Sequence, residues 1–199
     1  MKVLNSKMML CPCCMEEHKV KTVKINERTT FKKRKVSYDA IYMYCDIADE
    51  LYMDEHQIVE NDSRLKDAYR KIEGLLTSEE ICGIRAKYGI TQRDLSIVLG
   101  WGGKTITRYE RHQVQDKAHD MILKKIDRDP DWFLLLLEEA KDALSDEAYQ
   151  KYLKSASHEV DSKSESQLIS DTKNEIDILR AENEWLRKEN ERLKLLVPV

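Results

Sequence analysis

The chain has 199 residues, of which 36% are charged and 7% aromatic, and its net charge is −3. That is enough for one compact domain with appendages or two small ones, and three prolines with six glycines suit a helix-rich protein. No apolar run is long enough to span a membrane, WFLLLL at Trp132–Leu137 included, and no signal-peptide pattern opens the chain, so a cytoplasmic protein is expected.

The small net charge hides segregation. Lys19–Lys35 carries eight Lys or Arg against one Glu, whereas Cys45–Asp62 carries seven acids and no Lys or Arg. The five cysteines are odd in number and three crowd into CPCC. That is no disulfide framework, and a metal-binding or structural role in a reducing compartment fits better.

Residues 1–60 form the first expected domain. Val, Ile, Thr, Phe and Tyr recur in partial alternation along KVKTVKINERTTFKKRKVSYDAIYMYC, which predicts two or three short strands. A sheet this small has little core and would gain from a metal or a partner.

Residues 61–154 form the second, helical domain. Leu65, Tyr69, Ile72 and Leu76 follow helical spacing after the cap candidates Asp62 and Ser63. Thr77 with Glu80 is a capping box, so a helix starts there; Ile81, Ile84 and Tyr88 are its apolar face and Gly89 its end. Thr91 with Asp94 starts the next helix and Gly100 ends it. Asp129 followed by Pro130 starts another, and Ser145 begins a short one ending near Lys154.

Residues 155–168 are serine-rich and polar and are expected to be a linker. From Ile169 to 199 the pattern is a heptad. Ile169, Ile176, Asn183, Asn190 and Val197 take the a positions, and Thr172, Leu179, Leu186 and Leu193 the d positions. Glu175, Glu182 and Glu189 at g would face Arg180, Arg187 and Lys194 at e of a parallel partner, all opposite in sign. A parallel, homodimeric coiled coil is therefore expected.

The stretch LGWGGKTITRYE can be read as a phosphate loop or as part of a DNA-binding module. The phosphate loop G-x-x-x-x-G-K-[ST] needs glycine where Val98 stands, and a preceding strand where TQRDLSIVLG reads as a helix. No nucleophile has a recognisable base partner, and the chain is not expected to be an enzyme. A helix-turn-helix fits in detail. Leu95 and Leu99 face inward, Ser96 is small at the helix crossing, Gly100 turns, and Trp101 plugs the apolar position after it. A second helix from Gly102 to Glu110 then buries Ile106 and Tyr109. It leaves Lys104, Thr105, Thr107 and Arg108 outward, and Gly102–Gly103 allow close approach to DNA. Gln92 is placed to touch a phosphate, and Arg111 the backbone. The basic stretch Phe31–Lys35 is an alternative surface for RNA.

The stretch LSIVLGWGGKTITRYERHQVQDKAHD resembles the helix-turn-helix domain of the MqsA/YgiT antitoxin family, a branch of the Cro-like superfamily, over about residues 8 to 127. The resemblance implies a homodimeric, sequence-specific regulator that binds double-stranded operator DNA and represses its own operon, with Lys104 and Arg108 at the DNA-reading positions. It also implies a cognate toxin. The alternative is a protein-interaction module that neutralises a toxin, with DNA binding secondary. The family opens with a zinc domain built from two C-x-x-C pairs. Cys11 and Cys14 match the first; the second has Cys45 but Ala48 at its last position. Zinc wants four ligands, and His18, Asp49, Asp46 and Cys13 are the candidates for the fourth. The expected fold is thus mainly α: a small β-rich, zinc-ribbon-like domain, a Cro-like helical bundle and a C-terminal coiled-coil helix.

Overall fold

The computed structural model describes the backbone of residues 1–196 and the side chains of residues 1–165, 169, 172–177 and 180. The chain opens with an antiparallel sheet in the order β1 (Lys2–Leu10), β2 (Glu17–Phe31), β3 (Arg34–Cys45) and β4 (Glu50–Tyr52). Seven α-helices follow. They are α1 (Glu55–Glu73), α2 (Ser78–Lys87), α3 (Gln92–Val98), α4 (Thr105–Arg111), α5 (Lys117–Arg128), α6 (Pro130–Glu139) and α7 (Asp146–Leu196). Among the described residues no helix is long and apolar enough to cross a membrane.

The alternating stretch forms two strands, β2 and β3, within the two or three expected; β1 precedes it and the short β4 follows it. The β2–β3 hairpin turns on Lys32 and Lys33, both in the left-handed region (φ 44° and 66°). Two central residues at positive φ are what a two-residue hairpin turn demands.

Helix α1 starts at Glu55, eight residues before the cap expected at Ser63. Asp54 accepts from the Gln57 amide, and the Gln57 side chain accepts from the Asp54 amide, a complete capping box. The early turns escaped the apolar periodicity because their inward residues are polar. Strand β4 is only three residues long and leaves the backbone of Ile41 on β3 unpaired. Buried Asn61 on α1 fills the gap: its Oδ1 accepts from the Ile41 amide at 2.9 Å and its amide donates to the Ile41 carbonyl at 2.7 Å. A buried backbone group needs such a partner, and here a polar residue must face the core to supply it.

The helical core agrees with the predicted faces. Ile81, Ile84, Tyr88, Leu95, Val98, Ile106 and Tyr109 pack with Leu123, Ile126, Phe133 and Leu137 from α5 and α6. The caps at Thr77, Thr91 and Asp129 each accept the expected backbone amide. Gly100 adopts φ 66°, the left-handed conformation that ends α3 without a Cβ clash.

Two helices differ from expectation. Helix α4 begins at Thr105, so Gly102, Gly103 and Lys104 form the turn that enters it and are not its first turn. The helix that begins after Ser145 does not stop near Lys154. Residues 155–168, expected as a linker, continue it as part of the 51-residue α7. That segment contains no glycine or proline to break it. Two of its serines bond back to the helix: Ser155 donates to the Lys151 carbonyl and Ser164 to the Val160 carbonyl. Of the coiled-coil expectation, the side chains of Leu179, Asn183, Leu186, Asn190, Leu193 and the charges beyond Arg180 lie outside the described residues, as does Val197.

Arg70 joins the two halves. It is 1% exposed, donates to Asp67 Oδ1 (2.6 Å) and Gln115 Oε1 (3.0 Å), and reaches the carbonyls of Tyr109 (2.6 Å) and Gln113 (2.8 Å). It thereby caps the C-terminal end of α4 from the helix that covers the sheet. A cation satisfies both the helix dipole and its orphan carbonyls there.

Candidate functional site

At one end of the sheet, the turn between β1 and β2 and the turn after β3 face each other. In the first, the Met15 amide donates to the Cys11 carbonyl and the Cys11 amide to the Glu16 carbonyl, with Met15 in the left-handed region. This tight loop turns Cys11 and Cys14 to one side. In the second, the Ala48 amide donates to Cys45 Sγ at 3.3 Å. The backbone thus keeps a metal-loop geometry even though Ala48 has no donor side chain.

His18 supplies the missing donor from β2. Its Nε2 lies 3.6 Å from Cys45 Sγ, and the donor atoms of Cys11, Cys14, His18 and Cys45 all lie within 4.8 Å of one another. A tetrahedral metal with bonds of about 2.3 Å to sulfur and about 2.05 Å to nitrogen has a sulfur–nitrogen edge of about 3.6 Å. Three thiols and one imidazole are also a chemically sound set for a structural tetrahedral ion. The four residues therefore fit a metal such as zinc.

Two of the other candidates for the fourth ligand, Asp46 and Asp49, are engaged elsewhere. Asp46 pairs with Lys21 at 2.9 Å, and Asp49 accepts from the Tyr44 hydroxyl. Cys13 packs beside the cluster, and burial together with the charge of Cys11 pushes its thiol up. Cys11 behaves in the opposite way. Burial disfavours its thiolate, but the amides of Cys14 and Cys13 and the side chains of His18 and Cys45 outweigh that and bring it down to about 6. A thiol held toward its ionised form is the form that binds a metal. Cys82 on α2 is unrelated; burial and nearby Glu110 push it up to about 11.

The second candidate surface lies on α3, the turn and α4. Ser96 is fully buried between the two helices, accepting from the Ile106 amide and donating to the Gln92 carbonyl. Gln92 points inward rather than outward. Its amide nitrogen donates to Glu110, and its oxygen accepts from the Thr107 hydroxyl at 2.8 Å. Glu110 is itself nearly buried and pairs with Arg85 at 2.8 Å. Burial opposes its ionisation, but the hydrogen bonds from Arg85 and Gln92 prevail and hold its carboxyl low. Thr105 is 6% exposed, and Arg108 donates to its hydroxyl. Gln92 and Thr107, half-buried, thus tie α3 to α4, while Thr105, expected to face outward, is buried and engaged by Arg108 of its own helix.

Gly103, Lys104, Arg108 and Arg111 remain exposed, and among the described residues none of the three cations pairs with a carboxylate. A Cβ added at Gly103 would meet nothing within 4 Å, so internal packing does not require glycine there. Trp101 and His119 stack at 4.1 Å behind the turn, and His119 Nδ1 meets the Tyr109 hydroxyl at 2.6 Å, which stiffens the base of α4.

The sheet thus gathers four candidate metal donors at one end, and the helices after it include a short one, α4, with exposed cations. The profile of the family described as "Antitoxin component of bacterial toxin-antitoxin system, MqsA" matches residues 9–141. The chain belongs to this family. No curated protein matches it.

Proposed function

We propose that this antitoxin is a sequence-specific regulator that binds operator DNA as a homodimer through a helix-turn-helix formed by α3, the Gly100 turn and α4. The observation that carries the reading is the exposed, acid-free trio Lys104, Arg108 and Arg111 around a helix whose other polar residues are tied inward. In the complex, α4 enters the major groove. Arg108 reads base edges, Lys104 meets base or phosphate, Arg111 contacts the backbone, and Gly103 lets the duplex come close. Gln92, Thr105 and Thr107 position that helix. Zinc, bound by Cys11, Cys14, His18 and Cys45, supplies a structural cross-link of the two loops and no chemistry.

Arg108→Ala is expected to weaken binding to the chain's own promoter DNA by about 1–3 kcal/mol, read by gel shift. Lys104→Ala should weaken all sequences alike and lower the salt dependence by about one ion. Wild-type affinity in Arg108→Ala would remove Arg108 from the interface.

A second activity, toxin neutralisation, is favoured by β1. It is an outer strand of the sheet and exposes Val3, Leu4, Met8 and Leu10. An open strand edge with apolar side chains suits strand addition by a protein partner. The product of a neighbouring toxin-like reading frame should co-purify with the full chain, and lose that association when Met8 and Leu10 are changed to Lys. Association unchanged by those substitutions would move the contact off β1.

A further inference from the structure

Helix α7 lies wholly beyond the matched residues 9–141. Its first turns belong to the helical domain. Tyr149, Tyr152 and Ala156 are buried in the core, and the Tyr152 hydroxyl donates to Asp94 of α3 at 2.6 Å. Lys163 still reaches the helical core, donating to the Arg128 carbonyl. From there the helix runs on, and Ile169 and Ile176 on one face are 69% and 43% exposed. An apolar stripe on an isolated helix needs a cover.

We propose that this cover is the same helix of a second copy, in a parallel two-stranded coiled coil that begins at Ile169. The inference deepens the homodimeric reading by naming its surface. Charge selects the occupant and its direction. The g positions Glu175, Glu182 and Glu189 are all acidic, and the e positions Lys173, Arg180, Arg187 and Lys194 all basic. A parallel copy pairs g with e and is complementary throughout. An antiparallel copy would pair g with g and e with e, like with like. Asparagines at two a positions, 183 and 190, favour two strands in register. Upstream, the same seam positions hold Ser162 and Glu165, so the apolar seam ends at Ile169.

Only six residues separate Lys163 from Ile169, about 9 Å of continuous helix. The coiled coil therefore carries the two helical domains on short stiff arms. Their rotation about the seam is set by helical phase, not left free by a flexible tether.

Two charge variants of the full chain test the pairing by sedimentation. One carries Lys173→Glu, Arg180→Glu, Arg187→Glu and Lys194→Glu; the other carries Glu175→Lys, Glu182→Lys and Glu189→Lys. Each alone should dissociate at concentrations where wild type is dimeric, and an equimolar mixture should restore a one-to-one dimer. Variants that stay dimeric alone, a mixture that fails to pair, or a monomeric wild type would each overturn the proposal. The arm is tested by hydrogen exchange of residues 157–168: slow, helix-like exchange is expected, and coil-like exchange overturns it. Where wild type binds its DNA, two alanines inserted after Ser164 rotate each domain by about 200° and should cost about tenfold or more. Seven alanines restore the phase and should cost far less; equal effects overturn the stiff arm. Failure of wild type to bind DNA would sink the DNA-binding reading and leave the sedimentation and exchange results standing.

Discussion

Cys45→Ala in the full-length chain is expected to abolish metal binding and unfold the sheet domain, while α2 to α6 stay folded. Elemental analysis of wild type should find about one zinc per chain. The physical reason is the size of the domain's core. Among the described residues the fully buried cluster at the metal-donor end of the sheet is Cys11, Val20 and Cys45, and two of those three are candidate metal donors. So small a core contributes little by itself, whereas a structural zinc site contributes on the order of 10–16 kcal/mol of apparent binding energy, much of it folding energy. The result should be read as lost exchange protection in β2 and β3 and a separate low-temperature melting step. His18→Ala should resemble Cys45→Ala, whereas His18→Cys should keep the metal, since four thiolates also suit tetrahedral zinc. Asp49→Ala should change nothing, because Asp49 is occupied by Tyr44. A metal-free wild type with an intact sheet would sink the proposed centre.

Arg70→Ala is expected to destabilise the chain by about 3–5 kcal/mol, the usual cost of removing one partner from a buried charged network. Arg70 is buried, and its four acceptors lie on three stretches of chain: Asp67 on its own helix, Tyr109 on α4, and Gln113 and Gln115 in the following loop. Truncation leaves the buried Tyr109 carbonyl, the partly buried Gln113 carbonyl and the Gln115 amide oxygen without this donor. It also removes the cation at the C-terminal end of α4. Urea unfolding should show a lower midpoint, and Arg70→Lys should recover only part of the loss, because an ammonium cannot reproduce the planar fork. A loss below about 1 kcal/mol would mean that water replaces the guanidinium and that α1 is not fastened to α4 through it.

The elements legible in the sequence are those whose cause is local. The boxes at Thr77 and Glu80, the cap at Thr91, the Asp129–Pro130 start and the Gly100 stop each depend on residues within four positions, so spacing alone identifies them. The inward faces of α2, α3 and α4 follow from periodicity for the same reason. Cys11, Cys14 and Cys45 were expected as metal donors from the family resemblance, with one intact C-x-x-C loop to support it.

What lay outside reach was set by partners distant in sequence. Four residues competed for the last ligand position, and the pairing of β1 with β2 and of β2 with β3 brought His18 to Cys45 across 27 positions. Arg70 reads in sequence as one more solvated lysine-like charge; its role exists only because α4 ends against it. Gln92 and Thr107 have the chemistry to touch DNA, but the crossing of α3 and α4 pairs them with each other and Gln92 with Glu110, and Thr105 is buried against Arg108. The serine-rich stretch has a linker's composition, yet nothing in it breaks a helix, and Tyr152 and Ala156 anchor it to the core. Local sequence thus determined where helices begin, where they end and which side is apolar, because those depend on neighbouring atoms along one chain. Only the tertiary structure decided which polar side chains are free to act, because that depends on which distant backbone and side-chain groups claim them first.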